Sequence, residues 1–167
     1  MRERVTESRM AWLVAGVLVG LAVALYWPSE PAYAIGVSRA ENFAMCAVPT
    51  QAGTSEAMFV LDFTTGRLVG AAYNSQANGF TQLYLREIAA DFGVQAGTEA
   101  EYIMVPARTE FRAVAGPGRG SPAQGAIYIS EVNSGRVVMY GFTFFSAPRQ
   151  GGPMELDPVA QFKFRGP

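Results

Sequence analysis

The sequence predicts an all-β domain with one short helix, built as two four-stranded antiparallel repeats and preceded by an N-terminal apolar helix. Three observations carry this. Ala57 to Tyr73 reads AMFVLDFTTGRLVGAAY, two apolar runs around a tight turn at Gly66. Ala126 to Phe142 reads AIYISEVNSGRVVMYGF, with Gly135-Arg136 where the first stretch has Gly66-Arg67. Further runs of strand length flank both hairpins and are separated by turn-rich segments.

The turns have a local chemistry. Asp62 and Glu131 close the first strand of each hairpin, where a carboxylate accepts hydrogen bonds from turn N–H groups. Gly66 and Gly135 supply the positive φ that a loop of three to five residues needs. Arg67 and Arg136 open the return strands and are expected to face solvent.

Taken in order, residues 1–9 form a short charged n-region with Arg2, Arg4 and Arg9. Residues 10–27 carry no charge, and about 18 residues make a helix of roughly 27 Å. Two readings stand for this block. One is a transmembrane helix, its N-terminus held inside by the preceding arginines. The other is a signal core followed by Ala32-Tyr33-Ala34, a small-x-small motif that signal peptidase cuts after Ala34. Residues 28–41 form a linker, and residues 42–167 the exported domain under either reading.

Within that domain, strands are expected at Asn42–Val48, Ala57–Phe63, Arg67–Tyr73 and Phe80–Leu85. A second set follows at Tyr102–Ala107, Ala126–Val132, Arg136–Phe144 and Val159–Phe164. The repeat units are thus about 42–86 and 102–165, with Gln82 to Arg86 matching Gln161 to Arg165. Leu85, Ile88, Ala89 and Phe92 follow helical spacing ahead of Gly93, which predicts a short helix over 85–92. Ala113 to Gly125 and Ser146 to Pro158 read as loops, because their glycines and prolines suit no paired strand. The run Tyr140 to Phe145 is more apolar than one-sided alternation requires, so it belongs to a central strand or one covered by another subunit.

The composition narrows the chemistry. Of 167 residues, 13 are basic and 14 acidic, with a formal charge of −1, which argues against nucleic-acid binding. There is no histidine, the usual general base and metal ligand. The one cysteine, Cys46, builds neither a disulfide nor a zinc site and reads as a buried core thiol. No phosphate-binding or dinucleotide motif is present. No enzymatic activity, cofactor, metal or catalytic residue is therefore expected. The candidate ligand or interface residues are Asp62, Arg67, Tyr73, Glu131, Arg136 and Tyr140: the two turns and two tyrosines able to face outward.

The segments ENFAMCAV, EAMFVLDFTTGRLVGAAYN, LYLREIAADFGV, EYIMV and GAIYISEVNSGRVVMYGF resemble small planctomycete proteins that share a hydrophobic N-terminal segment, an ENF start and the hairpin pattern. The resemblance covers Glu41 to about Phe144 and implies origin and topology, with no functional residue carried over. The chain departs from it after Phe142.

These readings lead to a non-catalytic cell-envelope module acting through protein–protein interaction, or alternatively a carbohydrate-binding, lectin-like module. Expected partners are the membrane through the N-terminal segment, an envelope protein or glycan, and further copies of the chain. The expected location is the cell membrane, single-pass, or else the periplasm or exterior after cleavage at Ala34. The repeats could form a sandwich, a barrel, or propeller blades completed by other subunits.

Overall fold

The computed structural model describes residues 3–26, 37–51, 55–94, 98, 100–111, 120–149 and 151–166. The chain divides into two compact units, Met1–Ala34 and Ile35–Pro167.

The first unit contains helix α1, Glu3–Tyr26. Its opening turns carry Glu3, Arg4, Glu7 and Arg9. The uncharged remainder, about 17 residues or roughly 26 Å, falls short of the ~30 Å hydrocarbon core. Among the described residues no helix is long and apolar enough to cross a membrane. The transmembrane reading of 10–27 is corrected accordingly. Trp27 and the Ala32-Tyr33-Ala34 motif lie outside the described residues.

The second unit is predominantly β. Its elements are β1 (Val37–Arg39), β2 (Phe43–Gln51), β3 (Ser55–Asp62), β4 (Arg67–Asn74), β5 (Gly79–Glu87), α2 (Ala89–Phe92), β6 (Tyr102–Arg108), β7 (Ser121–Pro122), β8 (Gly125–Glu131), β9 (Arg136–Gly141), β10 (Thr143–Phe144), β11 (Met154–Glu155) and β12 (Asp157–Lys163). The first sheet runs β1-β2-β3-β4-β5-β11 and the second β12-β9-β8-β6, while β7 and β10 form a separate pair. All pairings are antiparallel except β11 on β5. Both sheets are open, so the barrel alternative is ruled out.

Alternation sets the core. Cys46, Phe59, Leu61 and Leu68 of the first sheet and Met104, Ile127, Ile129, Val138 and Tyr140 of the second belong to one buried cluster. Each large apolar side chain buried there contributes about 1.5–3 kcal/mol. Phe142 lies between the sheets, its ring 5.1 Å from Phe59 and 5.2 Å from Tyr84, edge-on to both. A Cβ at position 70 would come within 2.2 Å of the Phe59 ring, so glycine there lets that ring lie against the strand.

All eight expected strands are present, with shifted ends. The strand expected over 136–144 breaks at Phe142, which turns into the core while the chain moves on to pair with β7. The helix expected over 85–92 shortens to one turn, because β5 stays paired with β4 through Glu87. Gly93 caps it at φ +71°. Pro122 does sit in a paired strand, contrary to expectation, but in a two-residue ladder beside β10 where few N–H donors are needed. The linker contains β1. The fourth strands do not correspond as expected: Arg86 lies opposite Leu68, whereas Phe162, not Arg165, lies opposite Val137.

Buried amides take the place of a missing strand beside the first sheet. Gln82 Nε2 donates to the Phe145 carbonyl at 2.7 Å, and the Phe145 N–H donates back to Gln82 Oε1 at 2.8 Å. Tyr84 Oη donates to the Thr143 carbonyl at 2.8 Å, and Asn74 Nδ2 to the Ser146 carbonyl at 2.8 Å. Residues 143–146 are thereby held to β4 and β5 by side chains. Replacing Gln82 by Leu keeps its bulk and leaves two backbone groups of Phe145 without partners. Gln82→Leu is expected to lower unfolding free energy by about 1–3 kcal/mol in urea titration.

The turn glycines are positive in φ, Gly66 at +66° and Gly135 at +63°. A β-branched residue resists that region. Gly66→Val and Gly135→Val are each expected to cost about 1–3 kcal/mol, and melting curves that overlay the parent would refute this.

Candidate functional site

The two hairpin turns are built alike. Asp62 Oδ1 accepts from the N–H of Thr64 at 2.9 Å and of Thr65 at 3.3 Å. Glu131 accepts from the N–H groups of Asn133, Ser134 and Glu101. The Gly66 carbonyl accepts from the Ile88 N–H at 2.9 Å, and the Gly135 carbonyl from the Phe164 N–H at 2.8 Å. The neighbouring strand closes each turn through Phe63 N–H to the Asn42 carbonyl and Val132 N–H to the Glu101 carbonyl, both 2.9 Å.

These bonds set the charge state of the carboxylates. Hydrogen bonding from Thr65 is the main reason the Asp62 carboxyl stays below its usual range, with Thr64 and the Arg67 charge adding to it. Burial works against ionisation of Glu131, but the bonds from Ser134, Asn133 and Glu101 outweigh it and hold that carboxyl low.

Of the six residues singled out, Asp62 and Arg67 face each other in register, as do Glu131 and Arg136. Arg67 sits 3.7 Å from Glu87, both exposed, a pair worth little. Tyr73 lies at the far end of β4, its hydroxyl donating to Asn78 Oδ1 at 2.7 Å and its ring edge-on to Phe80 at 6.1 Å. Tyr140 is fully buried, so its side chain does not face outward. Its hydroxyl donates to Asp91 Oδ2 at 2.7 Å. Arg136 reaches the same place, donating to the Asp91 carbonyl at 2.7 Å.

Asp91 and its partner Arg86 are the residues that sequence reasoning missed. Arg86 Nε and Nη2 each donate at 2.8 Å to one Asp91 oxygen. Its Nη1 donates to Glu155 Oε1 at 2.8 Å and to the Leu156 carbonyl at 2.9 Å, and the guanidinium carbon lies 5.8 Å from the Tyr140 ring centre. Burial opposes the Asp91 charge, yet the Arg86 and Tyr140 bonds prevail and lower its proton affinity. Burial, then the Asp91 carboxylate, pushes the Tyr140 hydroxyl well up. The cluster positions elements.

An open cavity of about 690 Å³ lies at the turn end, with Thr64 of one hairpin and Asn133 of the other in its wall. Asn42, Glu41 and Glu101 add polar groups, and Phe63 and Tyr102 supply aromatic surface. The Arg39 guanidinium carbon lies 5.1 Å from the Phe63 ring centre. Arg39, Glu41 and Glu101 place charges of both signs in the same wall as the two rings. Among the described residues no three His, Cys, Asp or Glu side chains gather as a metal-ligand set. Burial pushes the Cys46 thiol up to about 12, far from a thiolate at neutral pH.

No family model matches the chain, and neither does any curated protein or solved structure.

Asp62, Asp91 and Glu131 all hold lowered carboxyls in the folded chain. Each binds its proton more tightly when unfolded, so its stabilisation is complete above the unfolded pKa of about 4 and fades as pH falls through the folded value. Urea midpoints should be flat from about pH 5 to 7 and decline below about pH 4. Asp91→Asn should make that decline shallower. Arg86→Met should cost about 2–4 kcal/mol at neutral pH, because it strands a mostly buried carboxylate.

Proposed function

We propose that residues 35–167 form a non-catalytic, exported interaction module whose working surfaces are the outward faces of its two sheets. One observation carries this reading: the middle of each face is apolar, bordered on the first sheet by Glu56 on one side and by Asp62, Arg67 and Glu87 on the other. Across the first sheet the register sets Met45, Val60, Val69 and Leu85 in one row and Ala47, Met58, Ala71 and Leu83 in the next. Across the second it sets Val105, Tyr128, Met139 and Ala160 beside Ile103, Ser130, Val137 and Phe162. A solvated antiparallel sheet alternates with polar residues instead. Contiguous apolar patches of this extent mark interaction sites.

Export is supported by the apolar stretch of α1, which follows the charged n-region and precedes the small-x-small motif Ala32-Tyr33-Ala34. The lack of histidine and the buried, protonated Cys46 support a non-catalytic role. The matched turn bonds support reading the two four-stranded units as repeats packed face to face, in keeping with the planctomycete resemblance.

A second reading has its own observation. The 690 Å³ cavity between the turns, with Phe63, Tyr102, Asn42 and Thr64, suits a sugar and favours a lectin-like module.

Two measurements test this. The purified protein is expected to begin at Ile35 by mass spectrometry, and an intact N-terminus would remove the cleavage reading. Immobilised on beads, the chain is expected to retain a protein through its apolar sheet faces and to leave a glycan array at background. Glycan binding abolished by Asn42→Ala would transfer the function to the cavity.

A further inference from the structure

At the end of the first sheet opposite the Gly66 turn, separate chain segments enclose a cleft of about 120 Å³. Gln51 and Ser55 come from the ends of β2 and β3, Tyr73 and Gln76 from the β4–β5 hairpin, and Phe144 and Ser146 from the run after β9. No wall residue among those described is charged, unlike the larger cavity between the turns. We propose that this cleft binds a single ring of a neutral sugar. The inference takes up the carbohydrate alternative, gives it another place and a narrower ligand, and rests on neither sheet face.

The walls are fixed before a ligand arrives. Asn74, 3 % exposed, sits at their junction. Its Nδ2 donates to the Ser146 carbonyl at 2.8 Å, while its Oδ1 accepts from the N–H groups of Gln76 at 2.9 Å and Ala77 at 3.0 Å. One buried amide thus ties the hairpin wall to the wall at Ser146. Thr50 fixes the remaining side, its hydroxyl donating to the Ser55 carbonyl at 2.6 Å. The Tyr73 hydroxyl donates to Asn78 Oδ1 at 2.7 Å, which holds the phenol ring in place. A site held this way loses little freedom on binding, the condition under which a few weak contacts suffice.

What the fold leaves unused defines the ligand. Among the described residues, the carboxamides of Gln51 and Gln76 and the hydroxyls of Ser75 and Ser146 have no partner within the chain. Each of these groups donates and accepts at once. Adjacent hydroxyls on a ring answer with the same double capacity. A carboxylate or an ammonium brings only one, together with a charge that the wall does not answer. Tyr73 adds aromatic surface on which the C–H side of a sugar packs. Phe80, 60 % exposed and edge-on to Tyr73 at 6.1 Å, extends that surface.

Volume sets the size. A cavity of about 150 Å³ holds one six-membered carbon ring, so this cleft admits one pyranose and leaves the rest of a glycan outside. About a dozen heavy atoms in contact give millimolar affinity, too weak to survive the washing of an array.

The test uses the full chain in mild detergent and neutral methyl pyranosides of the gluco, galacto and manno configurations. Saturation-transfer NMR is expected to mark at least one of them, with glucuronate and glycerol silent. Titration with that pyranoside should shift the side-chain amide signals of Gln51 and Gln76, with a constant of about 1 mM. Gln76→Ala and Tyr73→Ala should each weaken binding about tenfold. Tyr73→Phe keeps the ring and should weaken it less. Gln76 is exposed, and amide spectra of every variant separate lost binding from lost folding.

Silence from all three pyranosides at about 50 mM, far above a millimolar constant, would overturn the inference. So would binding that survives both Gln76→Ala and Tyr73→Ala, or binding lost with Asn42→Ala alone, which places the sugar in the larger cavity. Equal transfer to glucuronate or glycerol would overturn the choice of a neutral ring. None of these outcomes bears on capture of a protein by the sheet faces, which is read separately on beads.

Discussion

The arrangement of the β domain depends on one guanidinium. Arg86 stands near the end of β5, and with four hydrogen bonds it grips α2 through Asp91 and the β11–β12 junction through Glu155 and Leu156. Asp91 in turn receives Tyr140 and Arg136, both from β9 in the other sheet. A planar fork that meets a carboxylate with two parallel bonds fixes orientation as well as distance. The apolar core drives the sheets together, and this cluster sets how they sit. Such a cluster tolerates loss of a member badly, because the remaining charge has little water to turn to.

Around that point, polar side chains repeatedly do the work of backbone. Gln82, Tyr84 and Asn74 hold residues 143–146 where a regular strand would otherwise have to pair. The amide of Gln82 both donates and accepts, reproducing one rung of a ladder. The chain can thus bend at Phe142 into the core without abandoning the hydrogen bonds that its carbonyls require.

The strands were readable from the sequence because hairpin chemistry is local. Asp62 and Glu131 act within three residues of themselves, and Gly66 and Gly135 announce their backbone geometry by residue type. Arg86 and Asp91 were not readable, since five residues across a strand–helix junction follow neither a period of two nor one of 3.6. Gln82 and Asn74 bond carbonyls 63 and 72 residues away, which no local pattern signals. Strands of two or three residues, such as β7 and β11, are too short to show a period. Tyr140 was misplaced for a related reason: β9 carries apolar residues on both sides, and alternation then cannot tell inside from outside.

Cys46 carries a consequence of a different kind. Its side chain is 1 % exposed, on the inward face of β2 against the middle of the core. With its proton held by burial, the sulfur offers neither the access nor the thiolate that disulfide exchange requires. In an oxidising compartment, a single accessible thiol would be open to capture by glutathione or by a neighbouring chain. Folding removes that risk, and the risk returns only when the two sheets part. The reactivity of this single sulfur is thereby coupled to opening of the whole core, which makes it a chemical clock for the molecule's rarest motion.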